Sequence, residues 1–189
     1  MIQDYFGYII IGIVVILIIG LLLWAVSIYN RFFSLKNGGE ATLGQIKVAM
    51  KKRLDMIEQL LGAVKSYAAF EKETLTQITK LRSEVSSASP GDLNKLEQES
   101  KSIFGRLIAV AENYPDLKTN TTVLELTGAV RSVEDEIGRQ RYTYNNIAQE
   151  FNTMRETIPS NFIGNIIGMK KMDYLEFEEA IEKPPEIKF

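Results

Sequence analysis

The chain has 189 residues, 46% of them hydrophobic and 24% charged, and its net charge of −2 is too close to zero to predict nucleic-acid binding. It contains no cysteine and no histidine. This excludes disulfides, thiolate zinc sites and a Ser-His-Asp arrangement, and it removes the most common general base and metal ligand.

The first predicted element is residues 5–29, a run of 25 residues with no charged side chain and no proline. At a rise of about 1.5 Å per residue, a helix of this length spans roughly 37 Å, which exceeds the ~30 Å of a bilayer's hydrocarbon core. We predict a transmembrane helix that is retained. A cleaved signal peptide is the weaker alternative, because residues 1–4 lack a basic side chain, although Ala25-Val26-Ser27 would pass as a weak cleavage site.

Basic residues predict the orientation of this span. None precedes it, and six follow closely with Glu40 as the only acid among them. The positive-inside rule therefore predicts an external tail over 1–4 and a cytoplasmic domain after the span. The same six residues are candidates for contact with lipid headgroups, with a solvated helix face as the alternative for the last four. They are Arg31, Lys36, Lys47, Lys51, Lys52 and Arg53.

Three long helices are predicted after the span. Asn37-Gly38-Gly39 predicts a turn that closes a juxtamembrane linker over 30–39. Residues 40–87 carry apolar side chains three or four positions apart, which predicts one helix of 48 residues. Ser89 and Pro90 predict the start of a second helix that ends near residue 113. A third is predicted from about 120 to 157, where apolar residues alternate at the same steps.

Short elements follow the third helix, which is predicted to stop at Pro159. Residues 160–169 form an apolar piece, 174–182 a last short helix, and 183–189 a tail. Because the predicted second helix is half as long as the other two, it can bury only part of their apolar stripes. Another segment must pack against the rest. We predict an all-α fold, in which residues 40–182 form an elongated antiparallel up-down bundle and the short C-terminal helices fill the fourth position. A hairpin that oligomerises is the alternative.

Three blocks of residues match one family pattern, and together they extend over essentially the whole chain. The matching residues are Tyr29-Asn30, 43–48, Lys52-Arg53, 55–57, 64–68 and Glu71, then 114–118, Asn120, Glu134, Ile137, Arg141 and Tyr144-Asn145, then 158–161, Ile167-Gly168 and the closing Pro185-x-Ile-x-Phe. In these blocks the sequence resembles the LemA family. The resemblance implies a single N-terminal membrane anchor and a cytoplasmic antiparallel helical bundle, in a family with no agreed enzymatic activity. The chain departs from the family pattern where members usually have Trp near Thr42 or Leu43, Pro at Glu58 and His at Phe70.

Glu71, Glu134 and Arg141 fit the family pattern and lie at or near the predicted seams. A Glu–Arg pair between the first and third helices would fix their register, so we predict a structural polar site. The alternative is a binding site for a small ligand or ion. A di-metal carboxylate site is not predicted, since its Glu-x-x-His motif needs histidine.

These features predict a membrane-anchored scaffold or adaptor of the LemA type. No catalytic, cofactor-binding or metal-ligating residue is predicted, and no cofactor. The expected partner is the lipid bilayer, with other membrane proteins or self-association as further candidates and no nucleic acid. The alternative function is a membrane-associated sensor or enzyme that binds a small ligand at the polar site. The apolar residues of 162–169 either cap the bundle or dock on a membrane protein or the bilayer.

Overall fold

The computed structural model describes residues 2–67 and 71–175, with side chains over 7–67 and 72–175. Within these ranges the chain is almost entirely helical and has no strand, which confirms the all-α prediction. The helices are α1 (Ile2–Val64), α2 (Glu71–Ser87), α3 (Pro90–Asn113), α4 (Pro115–Lys118), α5 (Thr121–Glu156) and α6 (Ser160–Ile166), and a 3-10 turn covers Lys65–Tyr67.

The described residues form two compact units. The first contains residues 2–39 together with Ile147–Met172, and the second contains the described residues of Glu40–Asn146 together with residues 173–175. Helices α1 and α5 each contribute one part to each unit.

The second unit is a bundle of four antiparallel helical segments: α1 from residue 40, α2, α3, and α5 up to residue 146. Lys47, early in the α1 segment, donates a hydrogen bond to the carbonyl of Ser86 at the end of α2 (3.4 Å). Arg106, late in α3, donates to Gln77 in the first half of α2 (2.8 Å). Each segment buries an apolar stripe in a shared core. Fully buried members include Leu54, Ile57, Leu60, Ile78, Leu81, Leu107 and Ile137.

This bundle differs from the predicted one in the origin of its fourth helix. The residues 40–87 are predicted as one helix but contribute to two antiparallel helices, since α1 ends at Val64 and α2 begins at Glu71 and runs in the opposite direction. The apolar stripe of α2, with Ile78, Leu81 and Val85 buried, therefore packs beside α1 and does not continue it. Helix α2 thus fills the fourth position of the bundle, which the sequence predicts for the short C-terminal helices.

The predicted turn at residues 37–39 is also wrong, since α1 is helical throughout this stretch. The glycines permit close packing instead. A Cβ atom on Gly39 would lie 2.5 Å from the terminal methyl of Met172, and one on Gly38 would lie 3.7 Å from Ile147. The linker predicted over 30–39 is accordingly part of a continuous helix, in which small residues admit neighbouring side chains.

The first unit has its own small core, in which α1 packs against α5. Phe32 and Leu35 are buried with Phe151 and Met169, and the rings of Phe32 and Phe151 meet edge to face at 5.4 Å. In the described part of the chain, α1 is the one helix long and apolar enough to cross a membrane, and its apolar window is not buried. The N-terminal segment is therefore a candidate membrane anchor, as predicted.

From the end of α6 to residue 175 the chain is not helical. Residues 169–175 have no regular secondary structure, so the predicted helix over 174–182 is absent at Tyr174 and Leu175. The remainder of that predicted helix, 176–182, and the tail over 183–189 lie outside the described residues.

Candidate polar sites of the bundle

A buried arginine joins α1 to α5 in the second unit. The side chain of Arg53 is fully enclosed, and its Nη2 lies 3.0 Å from Oε1 of Glu134. The Glu134 side chain is 27% exposed, so one partner of this pair reaches solvent and the other does not. Arg53 lies on the apolar stripe of α1 between Met50 and Leu54, which places its charge inside the bundle.

A second arginine joins α5 to α3. Arg141 donates from Nη1 to Oε2 of Glu97 (2.6 Å) and from Nη2 to Oδ1 of Asn94 (2.9 Å). Both members of the ion pair are 8% exposed. The other carboxylate oxygen of Glu97 lies 3.2 Å from Nζ of Lys101. Both oxygens of Glu97 are therefore engaged by cations, which offsets part of the cost of burying its charge.

The two pairs lie on one stripe of α5. Glu134 and Arg141 are seven residues apart, which separates them by about 10.5 Å along the helix axis. They have opposite charges and contact different helices, α1 and α3. The Arg53–Glu134 pair does link the predicted first and third helices, but with Arg53 in place of Arg141 as the cation. Glu71 begins α2, and its side chain lies outside the described residues.

One of the six basic residues expected to face lipid is contradicted by the structure, because Arg53 is buried. Its position on the apolar seam of the sequence was a signal for this. Arg31 forms an ion pair with Glu150, whose Oε1 also accepts from Arg31 Nε (2.8 Å). Lys47 and Lys51 are half-buried, while Lys36 and Lys52 are exposed.

A surface charge cluster also joins α1 to α2. Arg82 on α2 is 2.5 Å from Asp55 and 2.6 Å from Glu58 on α1. The hydrogen bond to Glu58 raises the pKa of the Arg82 guanidinium above its ordinary value, and the charge of Asp55 contributes to the same shift. This cluster holds α1 and α2 side by side, and it was not anticipated because the two helices were predicted as one.

Two asparagines of α5 hold the chain that follows α6. In the first unit, Asn152 donates from Nδ2 to the carbonyl of Met172 (2.9 Å) and accepts from its N–H at Oδ1 (2.8 Å). In the second unit, Asn145 makes the same two bonds to Leu175, at 2.7 and 2.9 Å. A primary amide has both a donor and an acceptor, so it can pair with both backbone groups of one residue. No pattern in the sequence predicts this role for either asparagine.

The chemistry available at these sites is limited. Across the described residues, no group of three or more Asp or Glu side chains could hold a metal ion. Tyr144 is buried, and this burial raises the pKa of its phenol, with the charge of Asp173 acting in the same direction. Its hydroxyl is therefore protonated at neutral pH and is a poor general base.

Two clefts on the bundle surface, both lined by described residues, do not adjoin the buried ion pairs. They lie along α2 and α3, with volumes of about 420 and 320 Å³. Their shared lining residues are Lys80 and Glu99, and neither cleft is lined by Arg53, Glu134 or Arg141. Both buried pairs join helices of the bundle, and the structural role of the polar site stays a prediction.

Comparison with known proteins gives the family. The model of the LemA family matches residues 42–189, which is most of the chain. The chain belongs to the LemA family. "Protein LemA" of Metamycoplasma hominis is 30% identical over 136 residues, covering 71% of this LemA chain and 62% of the relative.

Two further relatives of this LemA chain carry a different name. "Magnetosome protein MamQ 2" of Paramagnetospirillum magneticum is 24% identical over 183 residues, and "Magnetosome protein MamQ" of Magnetospirillum gryphiswaldense is 21% identical over the same length. Each alignment covers 82% of the chain and 67% of the relative. Of the residues that carried the resemblance to LemA proteins, Glu134, Arg141 and Asn145 each make a contact between segments of the second unit.

Proposed function

We propose that this LemA protein is a membrane-anchored scaffold or adaptor without catalytic activity, with its N-terminus outside the cell and its bundle in the cytoplasm. The observation that carries the proposal is the combination of an apolar span with a bundle whose buried charges form Arg–Glu pairs. The span would tether the protein, and the bundle would present a stable surface to partners.

The orientation rests on the distribution of charge. All six basic residues near the span follow it, and the exposed members Arg31, Lys36 and Lys52 would be costly to carry across a membrane. Residues 1–4 contain one acid and no base, so their export costs less.

The absence of catalysis is supported by the state of the ionisable groups. Arg53 and Arg141 each contact a glutamate, and Glu97 contacts two cations. Groups paired in this way stabilise helix packing, whereas a catalytic acid or base is usually positioned to face a substrate in a cleft.

The relatives' names agree with this proposal. They record a family or a cellular structure, the magnetosome, and none names a reaction. The chain spans 62% of the Metamycoplasma hominis protein, so any activity of that whole protein comes to this chain only as part of the proposal.

The first test is topology. The chain is free of cysteine, so single cysteines at Gln3 and at the exposed Ser87 can be labelled in intact cells with an impermeant maleimide. We expect labelling at residue 3 alone, and labelling at both sites once the cells are permeabilised as a control. Labelling at residue 87 in intact cells would overturn the cytoplasmic placement.

The second test is partner capture in native membranes. A photo-crosslinking residue replaces the exposed Tyr142 on α5, and a matched variant carries it at the exposed Ile9 in the span. A scaffold should form adducts with a cytoplasmic protein from position 142 and with lipid from position 9. If position 142 yields only self-contacts and lipid, the adaptor role is contradicted.

A further inference from the structure

The end of α5 and helix α6 lie close to the end of the predicted span. In the first unit, Phe151 packs against Phe32, and Met154 packs on the same cluster as Ile28. Residue 147 lies beside Gly38, so α5 runs antiparallel to α1 and toward the span. Phe32 is three residues beyond Tyr29, where the span is predicted to end, which is about 4.5 Å along the helix.

Helix α6 packs directly on this level of α1. A Cβ atom on Gly164 would lie only 3.0 Å from the ring of Phe32 and 3.2 Å from Cδ of Arg155. After α6 the chain turns back, since Met169 packs with Leu35, and Arg155 Nε donates to the carbonyl of Met169 (2.7 Å). The segment from residue 157 to 166 is therefore the turning point of the chain, and its Gly164 packs on α1 within about one helical turn of the predicted membrane boundary.

This turning point exposes large apolar side chains. Ile158 is 76% exposed, Phe162 61% and Ile166 82%, and we call these three residues the apolar tip. Phe162 and Ile166 are four residues apart, so they lie on one face of α6. That face is opposite Gly164, which packs on Phe32. Exposing three large apolar side chains to water does not stabilise a protein. Exposed apolar patches of this kind mark contact with a partner or a membrane.

Basic side chains accompany the apolar tip. Lys170 is exposed, Lys171 pairs with Glu156, and Arg31 lies on α1 one residue before Phe32. Basic residues beside an apolar helix face are typical of elements that lie at a membrane interface, because the cations meet phosphate groups while the apolar side chains enter the acyl boundary.

We propose that the apolar tip inserts into the interface of the same bilayer that holds the span, so that the protein has two membrane contacts and not one. We infer that the bilayer is the partner of the apolar tip, because the tip and the end of the apolar span lie next to each other in the same unit. This inference rests on the proposed membrane insertion of the span. Lipid contact at two points fixes the rotation of the first unit about α1, which a single helix would leave free.

The experiment measures immersion depth by spin labelling of the full chain. Single cysteines replace Ile166 or Phe162 in vesicles of equimolar phosphatidylcholine and phosphatidylglycerol. Relaxation by oxygen, which partitions into lipid, is compared with relaxation by a water-soluble nickel chelate. Leu17 in the span serves as the positive control. Leu124, an apolar residue of α5 in the second unit that is 56% exposed, is the matched control.

We expect labels at 162 and 166 to favour oxygen, at a depth of about 5–10 Å below the headgroups, and the label at 124 to favour the chelate. If the label at 166 favours the chelate, as the label at 124 does, while the label at 17 favours oxygen, the inference is overturned and the anchor stands. If the label at 17 favours the chelate, the anchor itself is overturned. Protection at 166 from both reagents, or protection lost when the protein is diluted with lipid, indicates a protein contact and also overturns the inference.

Discussion

At the scale of single residues, the two partners of a buried ion pair are not equivalent. Arg53 is fully enclosed, whereas the Glu134 side chain is 27% exposed. If Glu134 is neutralised, the guanidinium loses a carboxylate and has no access to bulk water. If Arg53 is replaced, the carboxylate can be hydrated where it stands. The cost of breaking this pair should therefore depend on which side is removed.

Glu134→Gln should lower the free energy of unfolding by about 3 kcal/mol, because the buried guanidinium of Arg53 loses the charge of a carboxylate 3.0 Å away. Arg53→Met should lower the free energy of unfolding by less, since the methionine side chain fills much of the space that the apolar stem of the arginine occupies. Urea unfolding in detergent micelles, followed by circular dichroism, measures both, and Glu125→Gln on the surface of α5 is the control. Equal losses for the two variants would contradict the asymmetry.

The asparagine side chains of α5 allow a second prediction. Asn152→Leu removes both bonds to Met172, each worth roughly 1 kcal/mol, so exchange of the Met172 amide hydrogen should accelerate by about tenfold or more. Asn145→Leu should do the same for Leu175. Hydrogen exchange monitored residue by residue measures the effect. The matched control is Asn146→Leu, an exposed neighbour, and an equal acceleration in that variant would show that the two asparagines do not hold the chain.

At the scale of secondary-structure elements, the start of α3 can be predicted from the residues around it. Ser89 accepts from the backbone N–H of Asp92, and the Asp92 carboxylate accepts from the Ser89 backbone and hydroxyl, at 3.2 and 2.6 Å. This is a capping box followed by proline in the first turn. These hydrogen bonds lower the pKa of Asp92 below its ordinary value.

Ser89→Ala should lower stability by about 1 kcal/mol at neutral pH. The pKa of Asp92 is depressed in the folded state, so the stability from its ionised form is present above the ordinary aspartate pKa, near 3.9, and is lost as the pH falls below that value. The difference between wild type and variant should therefore shrink between pH 6 and pH 3. Urea midpoints at both pH values measure it, with the exposed Ser83→Ala as control. A difference that is constant with pH would rule out the carboxylate's part in the cap.

Reversals of direction were harder to predict than caps. The sequence between Val64 and Glu71 contains no proline and no pair of glycines, yet two helices meet there. The available signal was a gap in the apolar seam, from Tyr67 to Leu75, with Glu71 at a seam position. Conversely, Asn37-Gly38-Gly39 has a typical turn composition but lies within α1, because packing against Ile147 and Met172 outweighs local preference.

At the scale of the whole molecule, periodicity and composition were enough for the all-α class, the candidate anchor and the antiparallel bundle. They were not enough for the pairing of charges. The sequence places Arg141 near a predicted seam, but its partner Glu97 is found only once the helices lie side by side. Arg53 is expected to face lipid on the basis of its charge, although its position on the apolar seam indicates the burial that the structure shows.

The two asparagines of α5 that hold the chain after α6 are also open to a slow chemical change. Asparagine side chains hydrolyse slowly to aspartate, and a carboxylate can accept hydrogen bonds but cannot donate one. After deamidation, Asn152 or Asn145 would leave the carbonyl of Met172 or Leu175 without its donor and would bring a negative charge beside it. An aged molecule would therefore hold Met172 or Leu175 through its backbone N–H alone, while the buried ion pairs of the bundle stayed intact.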